Sequence, residues 1–143
     1  MTQNRTSGSA LDSALSPIFI VGCPRSGTTL VRSILAAHSR IIISPESHFL
    51  NYWVKQYAHL NLLQPQDFDR FWQDFSTSQR FGYFDLNGSA LKTKIQTETQ
   101  QSGNPVSFQL IFRCLLDAYA AKMQKPRWGE KTPAHYESVD VLL

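Results

Sequence analysis

The sequence predicts an α/β fold, a three-layer α/β/α arrangement with helices on both faces of a parallel sheet. Three observations carry that prediction. Ile18 to Leu35, IFIVGCPRSGTTLVRSIL, reads as a strand, a tight glycine-bearing turn and a helix. Arg40 to Ser44 (RIIIS) is a short continuous apolar run, as in parallel strands covered on both sides. Together they make a strand–helix–strand unit of about 30 residues, the length of a βαβ crossover.

The elements follow in order. Residues 1–16, MTQNRTSGSALDSALS, are small and polar and read as a flexible arm, so the folded domain is expected over 17–143. Pro17 marks the entry to a first strand formed by Ile18, Phe19, Ile20 and Val21, which stops at Gly22. A loop leads through Gly27 to a helix from Thr28 to about His38, with Leu30, Val31, Ile34 and Leu35 on one face expected to pack on the sheet. Pro45 closes the second strand, and Glu46 begins a helical segment, ESHFLNYWVKQYAHL. Its aromatics, with Leu50, Val54 and Tyr57, form an apolar stripe that reads as core or cleft wall. A further helix over Gln64 to Phe75 is opened by Pro65 in its first turn and carries Phe68, Phe71, Trp72 and Phe75 on one side. Arg80 to Pro105 is polar and irregular, with a turn at Asn87-Gly88 and no assigned element. Ser107 to Met123 reads as a strong amphipathic helix with Phe108, Ile111, Leu115, Leu116 and Tyr119 at core spacing. Lys125-Pro126 breaks it, Arg127-Trp128-Gly129 begins a third extended segment, and a last helix, AHYESVDVLL, follows Thr132-Pro133. No capping glycine, basic last turn or proline ends that helix, so a longer product is expected.

Composition narrows the function. The chain of 143 residues has 42% apolar content and suits one domain with a core. A net charge of +3, with basic residues scattered, argues against a nucleic-acid platform and suits small anionic ligands. Two cysteines without regular spacing, Cys23 and Cys114, make neither a disulfide framework nor a zinc site, as expected for a reducing cytoplasm. Cys23 lies beside Arg25 and a helix start, the surroundings of an activated thiol, but with Pro24 alone between Cys and Arg it reads as small loop filler. No apolar run reaches signal-peptide or membrane-spanning length, so a soluble protein is expected.

The loop carries the chemistry. Successive backbone N–H groups and the positive end of a helix, aimed at one point, suit a phosphate or another tetrahedral oxyanion. Gly22-x-x-x-x-Gly27 followed by two hydroxyl residues matches the spacing of the NTPase phosphate loop, but Thr28 stands where that pattern requires lysine. The cation sits inside the loop instead, at Arg25, whose planar guanidinium can grip a phosphate or sulfate bidentately without a metal ion. A βα turn with a surface arginine is the plain alternative.

The string CPRSGTTL resembles the 5′-phosphosulfate loop of the sulfotransferases that use 3′-phosphoadenosine 5′-phosphosulfate, and its arginine is most similar to the tyrosylprotein sulfotransferases and their bacterial relatives. The resemblance implies a P-loop-like fold that is incomplete here, because family members continue into elements that bind the donor's 3′-phosphate. It implies that Arg25 and the amides of Ser26, Gly27, Thr28 and Thr29 hold the phosphosulfate and that Glu46, one strand after the loop, is the catalytic base. Lys131, in WGEKTP, then stabilises the leaving phosphate. No metal is required, and the acceptor is a hydroxyl of unknown type. Glu46 otherwise reads as a helix-start carboxylate and Lys131 as a surface lysine. Glu130 is read as orienting Arg25 or Lys131, or as a solvated ion pair, and His48 and His135 as cleft-lining or structural. Two rival readings stay open: a phosphate-loop nucleotide kinase or nucleotide-binding module that takes ATP with Mg²⁺, and a non-catalytic fragment.

Overall fold

The computed structural model describes residues 16–142, so nearly all of the expected arm lies outside the described residues. Three short strands, β1 (Ile18–Ile20), β2 (Ile41–Ile43) and β3 (Arg127–Lys131), form a parallel sheet in the order β1-β3-β2. The last strand in sequence is therefore the central one. Ile18, Phe19 and Ile20 oppose Gly129, Glu130 and Lys131, while Ile41, Ile42 and Ile43 oppose Arg127, Trp128 and Gly129. Gly129 is flanked on both sides: a Cβ there would lie 2.5 Å from Ile43 Cδ1 and 2.8 Å from the Ile18 carbonyl oxygen. Only glycine lets three strands close at this register.

Helices flank the sheet, as the α/β reading expects. The first, α1 (Thr28–Ala36), starts at Gly27, whose φ of 84° is left-handed. Its buried and half-buried positions are Thr28, Arg32, Leu35 and Ala36, and this side lies against the strands. The expected face is thus corrected: Leu30, Val31 and Ile34 are 65%, 45% and 63% exposed. Polar Thr28 and Arg32 take the sheet-facing side together with Leu35 and Ala36, so the apolar stripe does not mark it.

The next helical segment, α2, begins at Phe49 rather than Glu46, as a π-type stretch Phe49–Val54 continued by a turn Lys55–Tyr57. Glu46 is left in the connection after β2. The expected helix over Gln64 to Phe75 is α3 (Pro65–Ser76), with Phe68, Phe71, Trp72 and Phe75 buried as its stripe requires. The region read as irregular is helical, with α4 (Gln79–Gly82) and α5 (Gly88–Ser102). Asn87 is the N-cap of α5, its side chain accepting from the Ala90 N–H at 2.9 Å. Gly103 ends it at φ 68°. Only Leu91 and Ile95 of α5 are buried, a stripe too narrow to register as periodicity. Helix α6 (Phe108–Lys122) is capped by Ser107, which accepts from the Leu110 N–H. After β3, a 3₁₀ turn (Pro133–Ser138) precedes α7 (Val139–Leu142), where one helix was expected. Among the described residues, no helix is long and apolar enough to cross a membrane.

An aromatic core joins α2, α3 and α6 to the sheet. Phe49 stacks on Phe112 with ring centroids 4.8 Å apart and meets Phe75 edge-on at 5.6 Å. Phe112 also stacks on Phe19 of β1, and Trp128 of β3 donates its indole N–H to Asp117 of α6. Such ring pairs add roughly 0.5–1.5 kcal/mol each beyond the area they bury, and they anchor α2, the helix that follows Glu46.

Candidate active site

All three strands run the same way, so the segments leaving them meet at one edge of the sheet. The glycine loop follows β1, Glu46 follows β2, and Lys131 ends β3. The edges are tied together: the Gly22 N–H donates to the Pro133 carbonyl at 3.1 Å, fastening the loop to the segment behind Lys131.

Within the loop, Arg25 is exposed and held at a φ of 64°. The Ser26 N–H closes a turn onto the Cys23 carbonyl at 3.2 Å, so that amide is engaged inside the loop. No side chain caps the start of α1, and its first turn holds no acidic residue. The first amides of a helix have no partner within it, and here they open on a cavity of about 460 Å³ whose walls include Arg25, Gly27, Thr28, Thr29, Glu46 and Lys131. That combination attracts an oxyanion.

Lys131 is 4% exposed. Its ammonium forms a hydrogen-bonded ion pair with Glu46 Oε1 and lies 3.5 Å from Thr29 Oγ1. Glu46 Oε2 is 3.3 Å from His48 Nε2. Burial alone pushes the Glu46 carboxyl up, but the hydrogen bond and charge of Lys131, with His48 adding to them, outweigh it and hold the group below its ordinary value. The His48 imidazole is pushed down, first by burial and then by the Arg80 charge, against the pull of Glu46.

Beneath this pair lies a buried polar network that the sequence did not announce. Glu130 is fully buried and bonds neither Arg25 nor Lys131, which corrects the expectation for it. It accepts from the Ser47 N–H at 3.2 Å, from Ser47 Oγ at 2.8 Å and from the Thr132 hydroxyl. Thr132 Oγ1 in turn accepts from the His48 N–H, and Ser47 Oγ from the Phe49 N–H. The Leu50 N–H donates to His135 Nε2 at 3.2 Å, which leaves the ring proton on Nδ1 to be donated to Glu130 Oε2 at 3.0 Å. Four consecutive amides, Ser47 to Leu50, are thus satisfied by side chains at and just after β3 and by Ser47 itself. His135 is structural, whereas His48 lines the loop cavity. The sequence signal for this network was WGEKTP read as a whole, in which Glu130 and Thr132 flank the lysine.

Comparison with curated proteins and with solved structures finds no match. The sequence profile of the sulfotransferase family matches residues 17–143. That span holds the arginine-bearing loop, the connection carrying Glu46 and the strand ending in Lys131, and on this match the chain belongs to the sulfotransferase family.

Proposed function

We propose that the protein transfers a sulfuryl group from 3′-phosphoadenosine 5′-phosphosulfate to an acceptor hydroxyl, in the manner of the tyrosylprotein sulfotransferases and bacterial relatives that its loop resembles. One observation carries the reading: Glu46 and Lys131 meet at the mouth of an uncapped helix start that bears an arginine. The residues fit this donor. Arg25 offers a forked grip on the 5′-phosphosulfate, and the amides of Gly27, Thr28 and Thr29 offer donors at the positive end of α1. Ser26 shapes the turn that presents them.

The donor supplies an activated sulfuryl group: the acceptor oxygen forms the new S–O bond as the S–O bond to the 5′-phosphate breaks, its electron pair leaving on adenosine 3′,5′-bisphosphate. Glu46 takes the hydroxyl proton, and Lys131 neutralises charge growing on the leaving oxygen. The pairing of these two side chains couples their tasks. A phosphate that draws Lys131 away removes the cation that depresses the Glu46 carboxyl, which makes Glu46 a stronger base once the donor is in place. Two free cysteines suit work in a reducing cytoplasm.

Titration calorimetry and a turnover assay test this reading. Adenosine 3′,5′-bisphosphate is expected to bind the wild type and Glu46→Gln alike, and to bind Arg25→Ala at least about tenfold more weakly, the loss of one charge-assisted contact. Turnover by Glu46→Gln is expected to fall by about 10²–10⁴-fold. Preferential binding of ATP with Mg²⁺, or normal turnover by Glu46→Gln, contradicts it.

A further inference from the structure

The two oxygens of the Glu46 carboxylate are held separately, Oε1 by Lys131 and Oε2 by His48, whose Nε2 lies 3.3 Å away. They part company when a phosphate draws the lysine off. Oε1 is then freed, and Oε2 stays held.

The state of the His48 ring follows from its two neighbours. A carboxylate oxygen only accepts, so the nitrogen facing it, Nε2, carries the ring proton. Nδ1 is then an acceptor, and it meets a donor, Asn51 Nδ2, at 3.3 Å. The amide makes this contact at the expense of its own oxygen: Asn51 Oδ1 is buried with no hydrogen-bond partner among the described residues. Turned about, the amide would set that oxygen against the lone pair of Nδ1. Tautomer and amide orientation therefore hold one another in place.

The backbone fixes both residues. His48 is the N-cap of α2, with a φ of 50°, and Asn51 stands three residues on, in the first turn of the same helix. The His48 N–H donates to Thr132 Oγ1 at 3.2 Å and its carbonyl accepts from the Tyr52 N–H at 3.0 Å, which ties the ring's position to the Glu130 network. Charged and titratable groups reach the ring from every side: Glu46 ahead of it, Arg80 of α4, His135 of the 3₁₀ turn, Arg32 of α1 in the groove beside it, and Arg25 and Lys131 across the loop cavity. Burial and the Arg80 charge disfavour an imidazolium more than Glu46 favours one, so the ring is neutral.

We propose that His48 and Asn51 are a positioning pair for Glu46: Asn51 keeps the imidazole proton on Nε2, that proton pins Oε2, and Oε1, the oxygen Lys131 gives up, takes the proton of the acceptor hydroxyl. The assignment rests on Glu46 being the base. The hydroxyl O–H bond breaks as an O–H bond forms at Oε1, and the proton then leaves Glu46, which is 40% exposed, to water. His48 stays neutral throughout and touches no reacting atom.

The full chain tests it with the donor itself as probe: the breakdown of 3′-phosphoadenosine 5′-phosphosulfate to adenosine 3′,5′-bisphosphate and sulfate, in which water stands in for the acceptor hydroxyl. His48→Gln keeps an N–H in place of the imidazole Nε2–H and is expected to stay within about threefold of the wild-type rate, whereas His48→Leu is expected to be at least about tenfold slower, a loss of orientation at the reacting group, with bisphosphate affinity unchanged in both. Both variants keep a non-glycine residue at φ 50°, so backbone strain cancels between them. ¹⁵N NMR of the imidazole is expected to show a neutral ring with its proton on Nε2 at pH 7. In Asn51→Asp a carboxylate faces Nδ1, and the ring is expected to bind its second proton at least about tenfold more tightly. Breakdown by Asn51→Asp at pH 7 is then expected to slow about threefold and to recover as pH rises, because an imidazolium weakens the neighbouring carboxylate as a base. If His48→Leu fails to fold, read by thermal melting, the imidazole titration stands as the test. Equal rates in folded His48→Gln and His48→Leu, a ring proton on Nδ1 in the neutral wild type, or an unmoved His48 titration in Asn51→Asp overturns the proposal. Any of these with Glu46→Gln still slow overturns it alone. No breakdown by the wild type, or breakdown by Glu46→Gln at the wild-type rate, removes the base and this pair with it.

Discussion

Glu46 sits between two opposing influences, burial that raises its pKa and a lysine that lowers it, and the lysine wins. Removing the lysine raises it. In Lys131→Met the Glu46 carboxyl is expected to titrate higher than in the wild type, which a ¹³C NMR titration of the side-chain carboxyl reads directly; an unmoved pKa contradicts the pairing. The same sign governs stability. Because the folded-state pKa is depressed, the stabilisation is present above the unfolded carboxylate value and is lost as pH falls through the lower folded value. Glu46 is 40% exposed, so solvent screens the pair and the slope is small. Arg25 and His48 add backbone strain at the site, with φ of 64° and 50°, a conformation that costs non-glycine residues about 1–2 kcal/mol. That Arg25, Glu46 and Lys131 each follow or end a strand was legible in the sequence, while the roles expected of them came from the resemblance. The sequence did not show that Glu46 and Lys131 bond each other, nor that Glu130 meets Ser47, Thr132 and His135, since both neighbours in β3 are buried on opposite faces and nothing local says which partners lie on each.

Elements carry the site through the amides that open α2. Truncation of Glu130 to alanine strands the Ser47 amide, the Thr132 hydroxyl and the His135 ring proton in the interior. Leaving these three buried polar groups unpaired, at about 1–3 kcal/mol each, is expected to cost about 3 kcal/mol or more in urea denaturation, and a loss under about 1 kcal/mol, the scale of an ordinary hydrogen bond, contradicts a structural role. Gly129→Ala is expected to cost about 1–3 kcal/mol by overpacking the central strand, measured the same way. The double substitution Leu30→Lys, Ile34→Lys on the outward face of α1 is expected to change stability by no more than about 0.5 kcal/mol per site. A larger loss means that this face is covered. The helices with broad apolar stripes, α3 and α6, were readable from spacing alone, as were the apolar strands β1, with Ile18-Phe19-Ile20, and β2, with three consecutive isoleucines. Helix α5 was not, because Leu91 and Ile95 alone face inward and its ends rest on an asparagine cap and a left-handed glycine that also read as turns. The sheet-facing side of α1 was misread because Thr28 and Arg32, both polar, lie on it.

At the scale of the molecule, the parallel strand order does the assembly. Placing β3 between β1 and β2 brings the ends of three strands, which lie far apart in sequence, to one edge of the sheet. α/β folds bind ligands at that edge. The class of fold was legible from one βαβ unit; the order was not, because the pairing of β3 with both isoleucine strands depends on Gly129 accommodating them at once. The central claim is that Arg25, the first amides of α1, Glu46 and Lys131 make one oxyanion pocket. Amide NMR of the protein titrated with adenosine 3′,5′-bisphosphate tests it most directly. The expected result is that Gly27, Thr28 and Thr29 shift furthest, with Glu46 and Lys131 moving at the same stoichiometry. Saturable binding that leaves those amides unmoved contradicts it.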